Sequence, residues 1–145
     1  MSSSVEIPPT RNQLRKLAKE RLSDSKVLLD AGKYSGSYYI CGYAVECGLK
    51  AIIAKNVKPN VFPAKDSTKR CYIHKLNQLS IEAGLGKSLE LKQKTDPKFD
   101  SYWAETILWS EESRYTRKSK RDAEDLYIAV SDIDHGVLTW LANYW

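Results

Sequence analysis

The clearest chemical signal in this 145-residue sequence is a basic segment at residues 114–121, RYTRKSKR. We expect a helix to follow it, with Ser119 as the N-cap. Because a helix N-terminus already carries partial positive charge, cations beside it are favourable when an anion such as phosphate binds there. The segment therefore predicts a phosphate-binding or nucleotide-binding site, in which the tyrosine can stack on a base. Its six cationic or aromatic residues are called the basic turn below: Arg114, Tyr115, Arg117, Lys118, Lys120 and Arg121.

The alternative interpretation of this segment is a solvated charged surface. Asp122, Glu124 and Asp125 fall in the first turn of the expected helix, where they balance its dipole and leave the cations to face water. The formal net charge of +5 fits both interpretations, because many proteins without a nucleic-acid partner are equally basic.

Residues that could catalyse a reaction are few. His74 and His135 are the only histidines. His74 follows a basic stretch and is a candidate general base or phosphate ligand, with a surface or helix-capping role as the alternative. His135 is expected in the middle of the last helix as a partly exposed structural residue. The sequence contains no glycine-rich phosphate loop, no Gly-x-Ser-x-Gly motif and no His-Glu-x-x-His motif, so three common enzyme classes have no support.

The three cysteines indicate neither a disulfide nor a metal site. Cys41 and Cys47 are six residues apart on one predicted helix and point to different sides of it. Cys71 and His74 have a local ligand spacing, but no second local pair completes a tetrahedral zinc site. We therefore expect free thiols, no metal and no cofactor.

Length and composition are those of one globular domain. The chain is 42% hydrophobic and 28% charged, which is ordinary for a domain of this size. We expect a single domain over residues 1–145, with a flexible tail at 1–9 and a long loop at 56–73. No stretch approaches the roughly 18 apolar residues of a membrane span, and the start lacks a signal core. A cytoplasmic protein without membrane contact is expected.

Apolar periodicity and capping signals predict an all-α fold. Thr10 and Gln13 match a capping box, and Asp96-Pro97 matches a helix start. From Ala123 to Tyr144 apolar residues recur every three or four positions without a break, which predicts one last helix reaching almost to the C terminus. No segment shows the period of two that is typical of a strand. The other predicted helices span about 11–31, 35–55 and 74–83, and one begins at 97.

The second of these helices is expected at the centre of a bundle. Glu46 precedes Lys50 by four residues, which is the favourable order for an ion pair within a helix. A bulky stripe contains Tyr38, Val45, Leu49 and Ile52. A seam of small residues, where another backbone can approach, contains Ser37, Cys41, Ala44, Gly48 and Ala51.

The segments 28–34 and 38–51 resemble the HEPN domain, the nucleotide-binding family of higher eukaryotes and prokaryotes. A weaker similarity continues through residues 74–79 and 113–115. The resemblance implies an up-and-down bundle of four to five helices. It also implies a homodimer or a pairing with a nucleotidyltransferase partner, often in a toxin-antitoxin or defence gene pair. The signature positions in this sequence are Tyr38, Gly42, Glu46 and Lys50.

Many proteins of this family are metal-independent ribonucleases, in which four to six residues separate an arginine from a following histidine. The required positions are 67–69 before His74 and 128–130 before His135, and none of them holds an arginine. Arg70 is one residue too close to His74. The ribonuclease pattern of the family is therefore absent.

Two functions remain open at this point. The favoured one is a non-catalytic module that binds nucleotide or RNA phosphates through the basic turn, or binds a cognate nucleotidyltransferase. The alternative is a metal-independent ribonuclease with a non-standard site shared across a dimer. That site would combine Lys69 or Arg70 with His74 and Arg114.

Overall fold

The computed structural model describes residues 7–57 and 75–145. These residues form seven α-helices and one 3-10 helix, and they contain no β-strand, which confirms the predicted all-α bundle. The 3-10 helix (Glu111–Tyr115) lies between the fifth and sixth α-helices. The α-helices are α1 (Arg11–Asp30), α2 (Tyr34–Lys55), α3 (Leu76–Glu82), α4 (Gly86–Thr95), α5 (Pro97–Thr106), α6 (Lys120–Ser131) and α7 (Val137–Leu141).

Some of the sequence predictions fall outside the described residues. They include the start of the expected tail, residues 1–6, and nearly all of the loop expected at 56–73. The same holds for Lys69, Arg70, Cys71 and His74.

The hairpin of α1 and α2 begins and turns where the sequence indicates. The Gln13 amide donates to Thr10 Oγ1 at 3.1 Å, and the Thr10 amide donates to Gln13 Oε1 at 2.8 Å, which confirms the capping box. After α1, Gly32 adopts a φ of +76°, a left-handed conformation that side chains other than glycine rarely adopt. The short turn sets α2 directly against α1.

Helix α2 is the centre of the bundle, as predicted. Fourteen of its 22 residues are buried, and it contacts α1, α3, α6, α7 and the 3-10 helix. Its small residues allow close contact on two sides. Ser37 Oγ donates to the carbonyl of Ser25 on α1 at 2.8 Å, whereas a Cβ added to Gly48 would lie 3.0 Å from Leu138 on α7. Cys41 and Cys47 are both free and buried.

The prediction of one unbroken last helix is wrong. Helix α6 ends at Ser131, and α7 begins only at Val137. Asp132 leaves the helical conformation, and its Oδ1 accepts hydrogen bonds from the amides of Asp134 and His135, both at 2.9 Å. A short acidic side chain that binds nearby amides competes with helix continuation. His135 consequently lies in the turn between α6 and α7 and not in the middle of a helix.

Helix α4 is an addition to the predicted elements. None of its ten residues is buried, and it packs alongside α5. A helix without a buried face has a weak apolar periodicity, so such a helix is difficult to predict from its sequence. None of the helices in the described ranges combines the length and hydropathy needed to cross a membrane.

Candidate phosphate-binding site

The basic turn is fixed to the rest of the bundle by one hydrogen bond between distant parts of the chain. The Lys118 amide donates to Ser35 Oγ, in the first turn of α2, at 2.8 Å. One residue later Ser119 caps α6, because its Oγ accepts from the Asp122 amide at 3.1 Å while Asp122 Oδ2 accepts from the Ser119 amide at 3.0 Å. The expected N-cap is therefore confirmed. The segment before α6 is held between the starts of two helices.

An open groove of about 640 Å³ lies where the basic turn meets the turn between α1 and α2. Arg117 and Lys118 line it from one side, and Lys33 lines it from the other. Its remaining lining residues carry no charge, so the charged residues of this mostly apolar groove are three cations and no carboxylate. Such an arrangement favours an anion. We call this the cationic groove.

The N-terminus of α2 opens into the same groove, since Ser35 and Gly36 are among the lining residues. Lys33 is the N-cap residue, and it provides no side-chain hydrogen bond to the first turn. The first N–H groups of any helix lack acceptors within the helix, so here they remain available to an acceptor from outside. This feature adds to the attraction that the three cations exert on phosphate.

The three cations of the cationic groove differ in their surroundings. Lys33 and Arg117 are exposed and form no ion pair within the described part of the chain. Lys118 is half-buried, and its Nζ lies 4.6 Å from the ring centroid of Tyr38. Burial raises the pKa of Tyr38 to about 12, and the charge of Glu105 contributes further. The phenol is therefore neutral near pH 7 and offers its ring face to the ammonium group.

Glu105 partly balances the charge of Lys118. Burial raises the pKa of Glu105, and the neighbouring Asp125 and Asp122 raise it further, while the attraction of Lys118 lowers it. Lys118 therefore lines the groove and also interacts electrostatically with the Glu105 carboxylate. Among the described residues, Lys33 and Arg117 are the two cations of the groove that form no ion pair.

The other residues of the basic turn do not line the cationic groove. Arg114 pairs with Glu111 at 3.4 Å, and its guanidinium lies 4.9 Å from the ring centroid of Tyr115, which is 77% exposed. Lys120 and Arg121 lie on α6 and approach acidic residues one turn later, at 3.7 and 3.8 Å. Of the six residues of the basic turn, Arg117 and Lys118 therefore line the cationic groove with Lys33, and the other four do not.

A family model of the HEPN domain matches residues 12–133 of the chain. The chain belongs to the HEPN family. The match covers the cationic groove and six of the seven α-helices. Neither the curated proteins nor the solved structures include a significant match to the chain. Family membership makes the chain a nucleotide- or RNA-related module.

The HEPN signature positions predicted on α2 have separate structural tasks. The ring of Tyr38 faces the Lys118 ammonium, as described above. Gly42 lies against the indole ring of Trp109, which leaves no room for a side chain. Glu46 is 2% exposed and accepts a hydrogen bond from Lys50 Nζ at 3.1 Å, which confirms the predicted ion pair. Gly42, Glu46 and Lys50 serve packing and internal pairing, and Tyr38 contacts Lys118 of the basic turn.

The HEPN ribonuclease chemistry has no support at the one described histidine. His135 Nδ1 lies 2.7 Å from Asp96 Oδ2, and Asp132 binds the backbone amide of His135. The positions that an arginine would need, 128–130, hold only apolar residues on α6. The imidazole therefore pairs with a carboxylate that also pairs with Lys92, whose Nζ lies 3.2 Å from Asp96 Oδ2. Chemistry on a phosphodiester, which is itself anionic, needs a cation directed at the phosphate, and this lysine is already paired with the carboxylate.

Lys33 and Ser35 are the site residues that the sequence did not reveal. Ser35 orients the backbone of Lys118, and Lys33 completes the cationic groove. A cation beside Gly32 at the start of a helix is a local signal of the same kind as the basic turn. One such residue is too common to stand out.

Proposed function

We propose that this HEPN domain binds the phosphates of a nucleotide or of single-stranded RNA in the cationic groove, without cleaving the ligand. The observation that carries the proposal is the convergence of Lys33 with Arg117 and Lys118 in a groove that contains no carboxylate. Phosphate oxygens are doubly attracted there, by the three side chains and by the free N–H groups at the start of α2. Residues 114, 115, 120 and 121 are then peripheral contacts of a longer ligand.

We further propose that the module works in the cytoplasm as a homodimer or with a nucleotidyltransferase partner, as in a toxin-antitoxin or defence pair. Dimers are frequent among HEPN domains. Several large apolar side chains are exposed in the single chain, among them Leu108 at 74% and Ile133 at 84%. Exposed apolar area of this kind favours burial against a second protein.

Charge reversal with a matched control tests the phosphate site. The test variant combines Lys33→Glu with Arg117→Glu, which removes the two unpaired cations of the groove. The control combines Lys16→Glu with Lys94→Glu, which changes the net charge equally but alters two exposed lysines on α1 and α4 that pair with nearby glutamates. Affinity for a fluorescent single-stranded RNA is measured by anisotropy at several salt concentrations.

Wild-type affinity should fall steeply as salt rises, because phosphate binding releases counterions. The test variant should bind at least about tenfold more weakly, and the slope of log affinity against log salt should flatten by about 1.4, or about 0.7 for each lost phosphate contact on a single strand. The control variant should keep most of the affinity. Equal losses in both variants, or wild-type binding that ignores salt, would show that the groove is only a solvated surface.

A further inference from the structure

A second open groove, of about 530 Å³, adjoins the cationic groove. Tyr34 lines both of them. On α1 the adjacent residues Leu28 and Leu29 line one groove each. Lys118, just before α6, and Lys120, its first residue, do the same. Because Tyr34 lines both, the two grooves lie side by side, and a ligand of nucleotide size can reach from one into the other. We call the second one the tyrosine groove.

The tyrosine groove has no net charge, in contrast to its neighbour. Its two lysines are matched by two carboxylates, with Lys26 Nζ 2.7 Å from Asp30 and Lys120 Nζ 3.7 Å from Glu124. A phosphate therefore gains little by entering it, while the cationic groove, with its three cations and no lining carboxylate, attracts the phosphate. The difference in charge between the two grooves therefore fixes the orientation of a ligand that occupies both, with its phosphate groups in the cationic groove.

The lining of the tyrosine groove suits a flat ring. Tyr34 and Tyr127 contribute phenol rings, and Leu29 and Ile128 contribute apolar surface. The groove also contains donors and acceptors, since the Lys26 ammonium lies over the Tyr127 ring, 5.8 Å from its centroid, and both lysines lie beside carboxylates. Nucleobases combine a π-face with an edge of donors and acceptors, which matches both properties.

We propose that the tyrosine groove binds the base of a nucleoside phosphate whose phosphate groups occupy the cationic groove. This inference rests on the proposed function, because it takes the phosphate site as its anchor. Tyr127, and not the exposed Tyr115 of the basic turn, is then the stacking residue. Tyr115 lines neither groove, whereas Tyr127 lines the tyrosine groove.

Calorimetric titration with ATP and with inorganic tripolyphosphate separates the base from the phosphates. Wild-type protein should bind ATP at least about tenfold more tightly than tripolyphosphate, since one base stacked on an aromatic ring is worth about that factor. Tyr127→Ala should remove this advantage and leave tripolyphosphate binding intact, whereas Tyr127→Phe keeps the ring and should retain it. If Tyr115→Ala removes the advantage and Tyr127→Ala does not, the assignment of the base is wrong.

Photolabelling of the unaltered protein covers the case in which Tyr127→Ala fails to fold. Irradiation with 8-azido-ATP should label peptides that contain residues 26–34 or 120–128, and excess ATP should prevent the labelling. Labelling confined to other peptides overturns the inference. If tripolyphosphate itself fails to bind the wild-type chain, the proposed phosphate site fails. If tripolyphosphate binds but ATP has no advantage over it, only the assignment of the tyrosine groove fails.

Discussion

Replacing Gly42 with alanine should destabilise the bundle, because the added methyl group would overlap the indole ring of Trp109. A Cβ at position 42 would lie 2.3 Å from three atoms of that ring. Carbon atoms in good contact are about 3.5 to 4.0 Å apart, so the ring or the backbone must move by more than 1 Å. Trp109 is only 2% exposed, and Tyr39 packs beside it with ring centroids 5.9 Å apart. The ring therefore has little space into which to move.

Two opposite effects set the size of this destabilisation. Alanine is favoured over glycine inside a helix by up to about 1 kcal/mol. Overpacking a filled core typically costs about 1 to 3 kcal/mol, and an overlap of this depth between Gly42 and Trp109 points to the upper end. The net loss should be about 2 kcal/mol in the free energy of unfolding. For a chain of this length that corresponds to a Tm lowered by roughly 4 to 8 °C.

Thermal and urea unfolding of four variants check the reasoning. Gly36→Ala is the matched control on the same helix, because its new Cβ would lie at an ordinary 3.7 Å from Leu28. It should be neutral or slightly stabilising. In a Trp109→Leu background, which removes the indole, Gly42→Ala should lose most of its effect. A Gly42→Ala protein as stable as the wild type, or one destabilised equally in both backgrounds, would refute the steric argument.

Acid stability, oligomeric state and RNA cleavage provide three independent tests. The pKa of the Asp96 carboxyl is held below its ordinary value of 3.8, first by the hydrogen bond with His135, so its contribution to stability is present above about pH 4 and is lost as the pH falls below that value. The difference in Tm between wild type and Asp96→Asn should therefore shrink between pH 5 and pH 2. Sedimentation at micromolar concentration should give the mass of a dimer, and a strictly monomeric mass would remove any site shared between subunits. A panel of single-stranded RNAs should remain uncleaved; metal-independent cleavage that disappears in His74→Ala would instead favour the shared ribonuclease site.

Helix starts and the central helix were predictable because their causes are local. The capping box of Thr10 and the N-cap of Asp96 each involve residues three apart in the sequence. The small residues of α2 repeat at helical spacing, and burial of the helix follows from that pattern whatever its neighbours are. Nearby residues are sufficient to determine such features.

The break between α6 and α7 shows where periodicity misleads. Both helices bury an apolar face, and apolar residues recur at helical spacing across Asp132 as if the helix continued. The turn itself is tight, because a Cβ on Gly136 would lie 2.4 Å from the carbonyl oxygen of Asp132. One acidic residue and one glycine decide the break. Both are also tolerated within many helices, so neither residue alone predicts it.

The cationic groove could not be predicted from the basic turn, since cations close together in the sequence need not converge in space. Lys118 meets Ser35 across 83 residues, and that contact brings Arg117 and Lys118 to Lys33. Two residues further on, Lys120 already belongs to the neighbouring groove, and its ammonium approaches Glu124. The backbone direction at Ser119, where an extended segment becomes a helix, separates the two groups. Charge density along the sequence therefore indicates a candidate region and no more. Which of its cations line one groove depends on the contact between the start of α2 and the residues before α6.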